Sequence, residues 1–287
     1  MPSDSDTFLL GGDLEVGRLG FGAMRITGDG IWGAPADPAG CRELLRRIVQ
    51  DGVTLIDTAD SYGPEVSEDL IAEALWPYPE NLVIATKGGL ERPGPNVWQR
   101  NCRPDRLRRC CESSLKRLKL ERIDLYQLHA VDPKVPIEDS IGALAELQDE
   151  GKVRHIGVSN VSLEDLERAQ QIVPIVSVQN RYNVVDRASE DVLEECASQQ
   201  LAFLPWASIA SGRDVARHGR AVDEIARGHG ATPRQVALAW LLAHSPVILP
   251  IPGTSSIPHF EENLEAVQLE LEPDELDALD ELAPPAS

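Results

Sequence analysis

Four polar side chains of types that cooperate in proton transfer end or follow short β-branched runs: Asp57, Tyr62, Lys87 and His129. An ammonium group near a phenol favours the phenolate, so we expect Lys87 to lower the pKa of Tyr62 from its usual value of about 10. The Asp57 carboxylate would keep that lysine protonated and oriented. The imidazole of His129 could orient a carbonyl oxygen or join a proton relay. The set predicts general acid–base chemistry with Tyr62 as the proton donor.

Each of these residues alone also has a purely structural interpretation. An aspartate after a strand often caps a turn, and Tyr62 before Gly63-Pro64 could anchor a loop. A lysine that ends a strand could simply be solvated, and His129 could be a hydrogen-bonded core histidine. The joint placement of all four favours the catalytic interpretation.

The elements that must position these residues alternate along the chain. Strands are predicted at 16–22, 54–59, 82–87, 123–129, 153–159, 175–180, 201–206 and 247–253. Helices are predicted at 37–51, 65–76, 104–119, 138–150, 162–172, 188–199, 232–244 and 257–267, with an additional one at 219–229. Eight strands, each followed by a helix, indicate an α/β fold of the (β/α)₈ TIM-barrel type.

Local signals add detail to this barrel. Helix N-caps are predicted at Asp37, Asp139, Ser162 and Thr232, the last followed by Pro233. The segment FLLGGDLEVGRL predicts an N-terminal β-hairpin that closes the barrel floor, with Gly11-Gly12 at its turn. PDELDALDEL predicts an extra C-terminal helix, and APPAS a frayed tail. Since no low-complexity linker interrupts the pattern, residues 1–287 are predicted to form a single domain.

In such a barrel the chemistry belongs at the carboxyl ends of the strands. The polar residues at the predicted strand ends are Asp57, Lys87, His129, Ser159-Asn160 and Gln179-Asn180, whereas the strand interiors are mostly Val, Ile and Leu. This distribution predicts that one cavity at this end of the barrel collects the functional side chains.

Composition excludes several classes of partner. The formal net charge is −20, from 27 basic and 47 acidic residues, so a nonspecific nucleic-acid surface is disfavoured. The longest apolar run, 236–243, is too short to span a bilayer, and the first twelve residues lack signal-peptide features. The sequence therefore predicts a cytoplasmic protein without membrane association. An acidic surface is equally compatible with a high-salt cytoplasm and with a codon-biased genome.

The five cysteines form no CxxC pair, so isolated buried thiols are expected rather than disulfides or a zinc site. The six histidines are scattered, and no metal is predicted. A short-chain dehydrogenase would need a Tyr-x-x-x-Lys pair, and none of the four tyrosines has a lysine four residues on.

Taken together, the motifs resemble those of the aldo-keto reductase family, from about Gly11 to Leu282. IDTADSYG resembles the segment with its catalytic aspartate and tyrosine, IATKGG its lysine strand and DLYQLH its histidine strand. GKVRHIGVSN resembles the strand whose Ser-Asn pair, here Ser159 and Asn160, hydrogen-bonds the nicotinamide carboxamide. VQNRYN places Gln179 at the position that contacts the same amide.

The segment PIPGTSSIPHFEEN resembles the family's binding site for adenosine and the 2′-phosphate. Many members have a lysine and an arginine where this chain has Gly253 and His259. Thr254 and Ser255 could still bind phosphate through hydroxyl and backbone N–H groups at a helix start. Glu262 and Asn263 would face the adenine. The resemblance implies NADPH as cofactor, with NADH as a second possibility.

The resemblance also implies the remaining cofactor contacts. Trp206 would stack on the nicotinamide where the family commonly has tyrosine or phenylalanine. Gly22, Ala23 and Met24 would let the backbone approach the ribose. Asp57, Ser208 and Gly212 complete the predicted cofactor set.

Trp32 and Trp98 are expected to line the substrate mouth together with Tyr62 and His129, although both tryptophans could instead anchor loops. The segment GAMRITGDGIWG is similar to that of the pyridoxal-reducing subgroup of the family.

The implied function is reversible, NADPH-dependent reduction of a small-molecule aldehyde or ketone to an alcohol by a monomeric oxidoreductase. Hydride would come from nicotinamide C4, with Tyr62 as general acid. The alternative is an NADPH-binding regulatory or interaction protein with slow residual turnover, as in channel-associated relatives of the family.

Overall fold

The computed structural model describes residues 7–209 and 212–283, with 212–219 described by their backbone alone. The sequence-based expectations for the start of the chain (1–6) and most of the APPAS tail (284–287) lie outside these ranges. None of the helices in the described part of the chain is long and apolar enough to cross a bilayer.

The predicted N-terminal hairpin is confirmed. Strands β1 (Thr7–Leu10) and β2 (Leu14–Gly17) pair antiparallel, and Gly11 and Gly12 adopt positive φ angles of 63° and 82° in the turn between them. Leu10 and Val16 are buried in a cluster with residues that begin the barrel strands. The hairpin therefore covers the amino-terminal end, or floor, of the barrel.

Seven parallel strands form the barrel wall. In chain order they are β3 (Phe21–Gly22), β4 (Leu55–Asp57), β5 (Val83–Gly88), β8 (Ile123–Leu128), β9 (Val153–Ser159), β10 (Ile175–Gln179) and β11 (Ala202–Phe203), and they are neighbours in that same order. Between β5 and β8 an antiparallel pair, β6 (Leu90–Gly94) and β7 (Val97–Arg100), forms a separate ribbon that the sequence analysis did not predict.

Residues 247–252 close the barrel between its first and last strands. On one side Phe203 N donates to Val247 O and Leu249 N donates to Phe203 O, both at 2.8 Å. On the other side Gly20 N donates to Pro250 O at 2.9 Å, and Gly22 N to Pro252 O at 3.4 Å. Because proline has no N–H to donate, this segment does not form a regular strand. The predicted strands at 247–253, 201–206 and 16–22 were thus too long, but the closed (β/α)₈ architecture is confirmed.

The helices lie outside the strands. They are α1 (Pro38–Gln50), α2 (Val66–Leu75), α3 (Pro104–Leu118), α4 (Ile137–Asp149), α5 (Leu163–Gln170), α6 (Glu190–Gln199), α7 (Gly212–His229), α8 (Pro233–His244), α9 (Ile257–Glu265) and α10 (Pro273–Asp280). Short 3₁₀ turns occupy Ala23–Ile26 and Ala266–Gln268. The extra C-terminal helix, α10, is confirmed.

Three of the four predicted N-caps are confirmed. Asp37 accepts from Gly40 N at 2.9 Å, and Ser162 and Thr232 each form a capping box with the residue three positions later. The prediction for Asp139 was wrong. Pro136, whose φ is −51°, precedes the first turn of α4 and places Asp139 inside it, because proline favours a helix start.

The core has two layers. Inside the barrel floor, apolar residues of the strands pack on the hairpin, and outside the strands two separate apolar clusters lie beneath the helices. All five cysteines are free and buried, as expected. Within the described ranges, His, Cys, Asp and Glu side chains form no group of three or more placed to hold a metal ion. The polar residues at the carboxyl ends of the strands lie at the opposite end from the hairpin.

Candidate active site

A cavity of about 630 Å³ opens at the carboxyl ends of the strands. Among the residues that line it are the following from the predicted site: Gly22, Met24, Asp57, Tyr62, Trp98, His129, Ser159, Asn160, Gln179, Trp206, Ser208 and Gly253. Strand ends and loops far apart in the sequence thus contribute to one site, as the barrel geometry predicted.

A buried ion pair lies at the base of this cavity. The Lys87 Nζ atom is 2.7 Å from each carboxylate oxygen of Asp57 and also donates to Thr58 O at 2.8 Å. The two residues lie on adjacent strands, since Asp57 pairs with Ala85 in the β4–β5 ladder. The Lys87 side chain is fully buried. Three acceptors therefore hold the ammonium group in one position.

Asp57 also accepts from two glutamines. Its Oδ1 atom receives hydrogen bonds from Gln179 Nε2 at 2.8 Å and from Gln127 Nε2 at 3.2 Å. Gln179 was expected to contact the nicotinamide amide, and here its amide nitrogen is used by a protein carboxylate. Gln127 was not identified from the sequence, although its place next to Lys87 in the β5–β8 ladder is a signal that could have indicated it.

Tyr62 lies in the loop between β4 and α2. Tyr62 N donates to Ala59 O, and Ser67 N at the start of α2 donates to Tyr62 O. The next residue, Gly63, has φ 102°, and a Cβ atom there would lie 2.4 Å from Val66 Cβ, so only glycine fits this turn. The turn places the Tyr62 ring with its centroid 5.2 Å from Lys87 Nζ and 5.7 Å from the His129 ring.

Burial raises the pKa of the Tyr62 phenol well above its usual value, and the negative charges of Asp57 and Asp60 raise it further. Arg92 is the cation that lowers it. This net direction is opposite to the expectation that Lys87 would lower the phenol pKa. The reason is that desolvation of a phenolate in a closed site is the largest effect.

The pKa values of Lys87 and His129 are both lowered. Burial lowers the pKa of Lys87, although its ion pair with Asp57 opposes that effect. Burial, followed by the positive charges of Lys87 and Arg92, lowers the pKa of His129 well below its usual value. At neutral pH the site therefore contains a protonated phenol beside a neutral imidazole.

The orientation of His129 is set by its neighbours. Its Nδ1 atom lies 3.3 Å from Ser61 Oγ, and its carbonyl oxygen accepts from Asn160 Nδ2 at 3.0 Å. Its ring packs edge-on against Tyr62 and Trp98. When Ser61 Oγ donates to Nδ1, the proton of a neutral imidazole lies on Nε2.

Asn160, which directly follows β9 in the cavity wall, is hydrogen-bonded to Trp206. The Trp206 Nε1 atom donates to Asn160 Oδ1 at 3.0 Å, and Asn160 Nδ2 donates to Ser159 Oγ at the same distance. Arg181 lies over the other part of the indole, 5.8 Å from its ring centroid. The Trp206 side chain is 38% exposed, so it presents a ring surface to the cavity instead of belonging to the core.

Arg92, in the β6–β7 ribbon, is a site residue that the sequence analysis missed. Its guanidinium stacks on Trp98 at 3.7 Å from the ring centroid and donates to Ser61 O and Gly30 O at 3.2 and 2.7 Å. It therefore ties together the loops that carry Tyr62, Trp98 and Gly30. The Pro-Gly-Pro-Asn turn beside Arg92 was a signal for a hairpin.

A second cavity, of about 1140 Å³, continues from the first and shares Met24, Arg25 and Gly253 with it. Thr254, Ser255, His259 and Glu262, which belong to the predicted nucleotide segment, line it. Asn263 is buried, and its Oδ1 atom has no hydrogen-bond partner among the described residues.

The structure places four further residues of the predicted site as follows. A Cβ atom on Gly22 would lie 2.6 Å from Ile251 O, so barrel closure itself requires this glycine. Ala23 is fully buried in the core layer. Trp32 lines an adjoining groove with Arg25 and Asp29 rather than the catalytic cavity. Gly212 begins α7.

Comparisons with known proteins agree with this geometry. Residues 18–284 match the aldo/keto reductase family. An uncharacterised oxidoreductase of Schizosaccharomyces pombe is 48% identical over 270 residues, covering 94% of this chain and 88% of that protein. Pyridoxine 4-dehydrogenase of Escherichia coli is 40% identical over 282 residues, covering 96% and 98%. A crystal structure of an aldo/keto reductase from Klebsiella pneumoniae in complex with NADP and acetate superposes with a TM-score of 0.83 at 27% identity, covering 98% of this chain and 96% of that one. The chain therefore belongs to the aldo/keto reductase family.

Proposed function

We propose that the chain acts as a single-domain, NADPH-dependent reductase that converts small aldehydes or ketones to alcohols, reversibly, with Tyr62 as the general acid. The observation that carries this proposal is the buried Lys87–Asp57 pair, held 2.7 Å apart beside the Tyr62 ring in the cavity that His129 lines. Burying an ion pair is costly, and a buried pair beside a cavity is a frequent feature of catalytic sites.

The two connected cavities fit an extended dinucleotide. Ser159, Asn160, Gln179 and Trp206 line the inner cavity, where they would hold the nicotinamide. Thr254, Ser255, His259 and Glu262 line the outer cavity, where they would hold the adenosine part. The relative from Klebsiella pneumoniae was crystallised with NADP. Bound NADPH would supply the hydride.

Tyr62 supplies the proton. Because burial raises its pKa, the phenol is protonated at neutral pH and can protonate a carbonyl oxygen as that oxygen gains negative charge. The phenolate left behind would lie close to the Lys87 ammonium and the Arg92 guanidinium, both of which favour it.

His129 orients the carbonyl. Its pKa is lowered by burial and by two nearby cations, so it acts as a neutral hydrogen-bond donor rather than as an acid. With Ser61 at Nδ1, the N–H at Nε2 is available to the substrate oxygen. Tyr62 and His129 would then bind the same oxygen and stabilise the charge that develops on it.

Pyridoxal is the first substrate to test. The relative from Escherichia coli is a pyridoxine 4-dehydrogenase. In this chain the indole of Trp98 packs edge-on against Tyr62 and His129 at the cavity wall, where it could contact a flat ring.

The experiment is steady-state oxidation of NADPH, with NADH in parallel, against pyridoxal, small aldehydes and sugar-derived ketones. Sustained turnover with a carbonyl compound that disappears in Tyr62→Phe supports the reductase. A single turnover without a steady state would instead indicate the regulatory NADPH-binding role, and no oxidation with any carbonyl would refute the proposal.

A further inference from the structure

The outer cavity carries the opposite charge to the rest of the molecule. Among the residues whose side chains the structure describes, four arginines line it (Arg25, Arg220, Arg227 and Arg234), against three carboxylates (Asp29, Asp223 and Glu262). The whole chain has 47 acidic and 27 basic residues. An excess of cations at one cavity of a strongly acidic protein indicates a site for an anion.

These arginines also differ from most others in their pairing. Arginines on the helices commonly form ion pairs, such as Arg108 with Glu146 and Glu150, and Arg168 with Glu138. Within the described ranges, Arg25, Arg220 and Arg234 have no hydrogen-bond or ion-pair partner. Arg227 donates to the backbone oxygen of Asp223 at 3.2 Å. The guanidinium donors at the cavity are therefore available to a ligand.

Hydrogen bonds fix the position of Arg234 relative to the nucleotide segment. It is the second residue of α8, whose start is tied to α9: Thr232 Oγ1 donates to Glu262 Oε1 at 2.6 Å, and Gln235 Nε2 donates to Glu262 O at 3.1 Å. Arg234 thus lies between two residues that are bonded to α9, and it shares its cavity with Ser255 and His259 at the start of that helix.

We propose that Arg234 of α8, assisted by Arg220 of α7, binds the 2′-phosphate of the dinucleotide. This inference rests on the proposed function and identifies the cations that favour NADPH over NADH in this chain. A phosphomonoester carries nearly two negative charges and three acceptor oxygens, which the forked guanidinium matches. Helices α7 and α8 would then supply positive charge to the phosphate. Many members of the family instead have a lysine and an arginine at the positions of Gly253 and His259.

The test is calorimetric binding of 2′,5′-ADP and 5′-AMP, which isolates the phosphate from the nicotinamide. The variants are Arg234→Gln, Arg220→Gln and the double variant. Arg122→Gln is the matched control, because this exposed arginine precedes β8 at the floor end of the barrel.

The wild type and Arg122→Gln should bind 2′,5′-ADP more tightly than 5′-AMP. Arg234→Gln should lose roughly tenfold or more of that preference, the size expected for one charge-assisted hydrogen-bonding partner. The double variant should lose the preference nearly completely, with 5′-AMP affinity changed little.

The proposal is overturned if the Arg234→Gln and double variants keep the wild-type ratio, since Thr254, Ser255 and His259 would then suffice. It is also overturned if the wild type shows no preference while NADH supports turnover. If neither nucleotide binds and no carbonyl is reduced with either cofactor, the proposed function itself has failed, and this inference fails with it.

Discussion

Gln179 donates a 2.8 Å hydrogen bond from Nε2 to Asp57 Oδ1, and this bond joins the sixth barrel strand to the second across the centre of the site. The carboxylate is thereby held by Lys87, Gln127 and Gln179 together. The Gln179 Oε1 atom keeps no partner among the described residues, so it is the amide atom that Gln179 can offer to a carboxamide N–H.

Removing one member of the buried ion pair should cost more stability than removing both. Asp57→Asn leaves the Lys87 ammonium buried with Thr58 O as its remaining strong acceptor, and breaking such a pair typically costs about 3–5 kcal/mol. Lys87→Met leaves the Asp57 carboxylate with two amide donors. This variant should therefore lose less stability than Asp57→Asn. Urea unfolding of the two single variants and the double variant measures these differences. A double variant no more stable than Asp57→Asn would contradict this account, and all three should lose carbonyl reduction.

Tyr62→Phe should lower kcat by roughly 10² or more, the size expected for one positioned acid–base group. NADPH affinity should stay near the wild-type value, because the hydroxyl acts on the carbonyl oxygen. Steady-state kinetics and a direct binding titration measure the two effects separately. Near-wild-type turnover in the variant would remove Tyr62 from its proposed role.

The pH profile of carbonyl reduction should lack a histidine step. The pKa of His129 is lowered well below its usual value of about 6.5, so the imidazole stays neutral from about pH 6 to 8. The pKa of Tyr62 is raised, so the acid form also persists over that range. We expect kcat/KM for reduction to be nearly flat there. A step near pH 6.5 that disappears in His129→Asn would show that the imidazole titrates in the working range.

Asp60 should make the protein less stable as pH rises towards neutrality. Burial raises the pKa of this carboxyl to about 7, and its Oδ1 atom has no partner among the described residues. The pKa of this carboxyl is higher in the folded state than the value of about 3.9 in the unfolded state. The stability that Asp60 contributes is therefore fully present below about pH 3.9 and is lost as the pH rises to about 7. Between these two pH values the free energy of unfolding decreases by about 1.4 kcal/mol per pH unit.

The test compares Asp60→Asn with the wild type by urea unfolding at pH 5 and pH 8. The variant should gain stability relative to the wild type at the higher pH. Asp105→Asn is the control, because Asp105 is exposed and its bond to Arg109 lowers its pKa. A constant difference between Asp60→Asn and the wild type at both pH values would show that Asp60 does not titrate there.

Trp206→Ala should weaken cofactor binding about tenfold, because the indole wall of the proposed nicotinamide site is lost. Trp206→Phe should recover part of the affinity by keeping a ring surface. Trp76, 53% exposed and packed on Lys119 outside the site, provides the control variant Trp76→Ala. Equal losses in Trp206→Ala and Trp76→Ala would point to a general effect on the fold.

The barrel and the four central residues could be predicted because each depends on a local pattern. Apolar strand interiors and polar strand ends follow from the layered architecture, which placed Asp57, Lys87 and His129 at one cavity. The hydrogen-bond partners could not be predicted in the same way. Gln179 was assigned to the cofactor, whereas its amide nitrogen bonds Asp57, since side-chain directions depend on the closed barrel.

The loops were the least predictable part. Arg92 acts through the β6–β7 ribbon, which folds back onto Ser61 and Gly30, and such contacts between distant loops leave no periodic signal. The shift of the phenol pKa was misjudged for a related reason, because the sequence does not reveal how fully Tyr62 is buried. The single-domain, monomeric and cytoplasmic assignments stay predictions.

The hairpin at the barrel floor has a kinetic consequence. Leu10 and Val16 block the barrel axis at that end, so reactants exchange with solvent at the rim where Trp98 and Trp206 lie. If a dinucleotide fills both cavities, as we propose, it must enter through this rim before a small carbonyl compound covers it. We therefore expect ordered binding, with the alcohol released before the spent nucleotide.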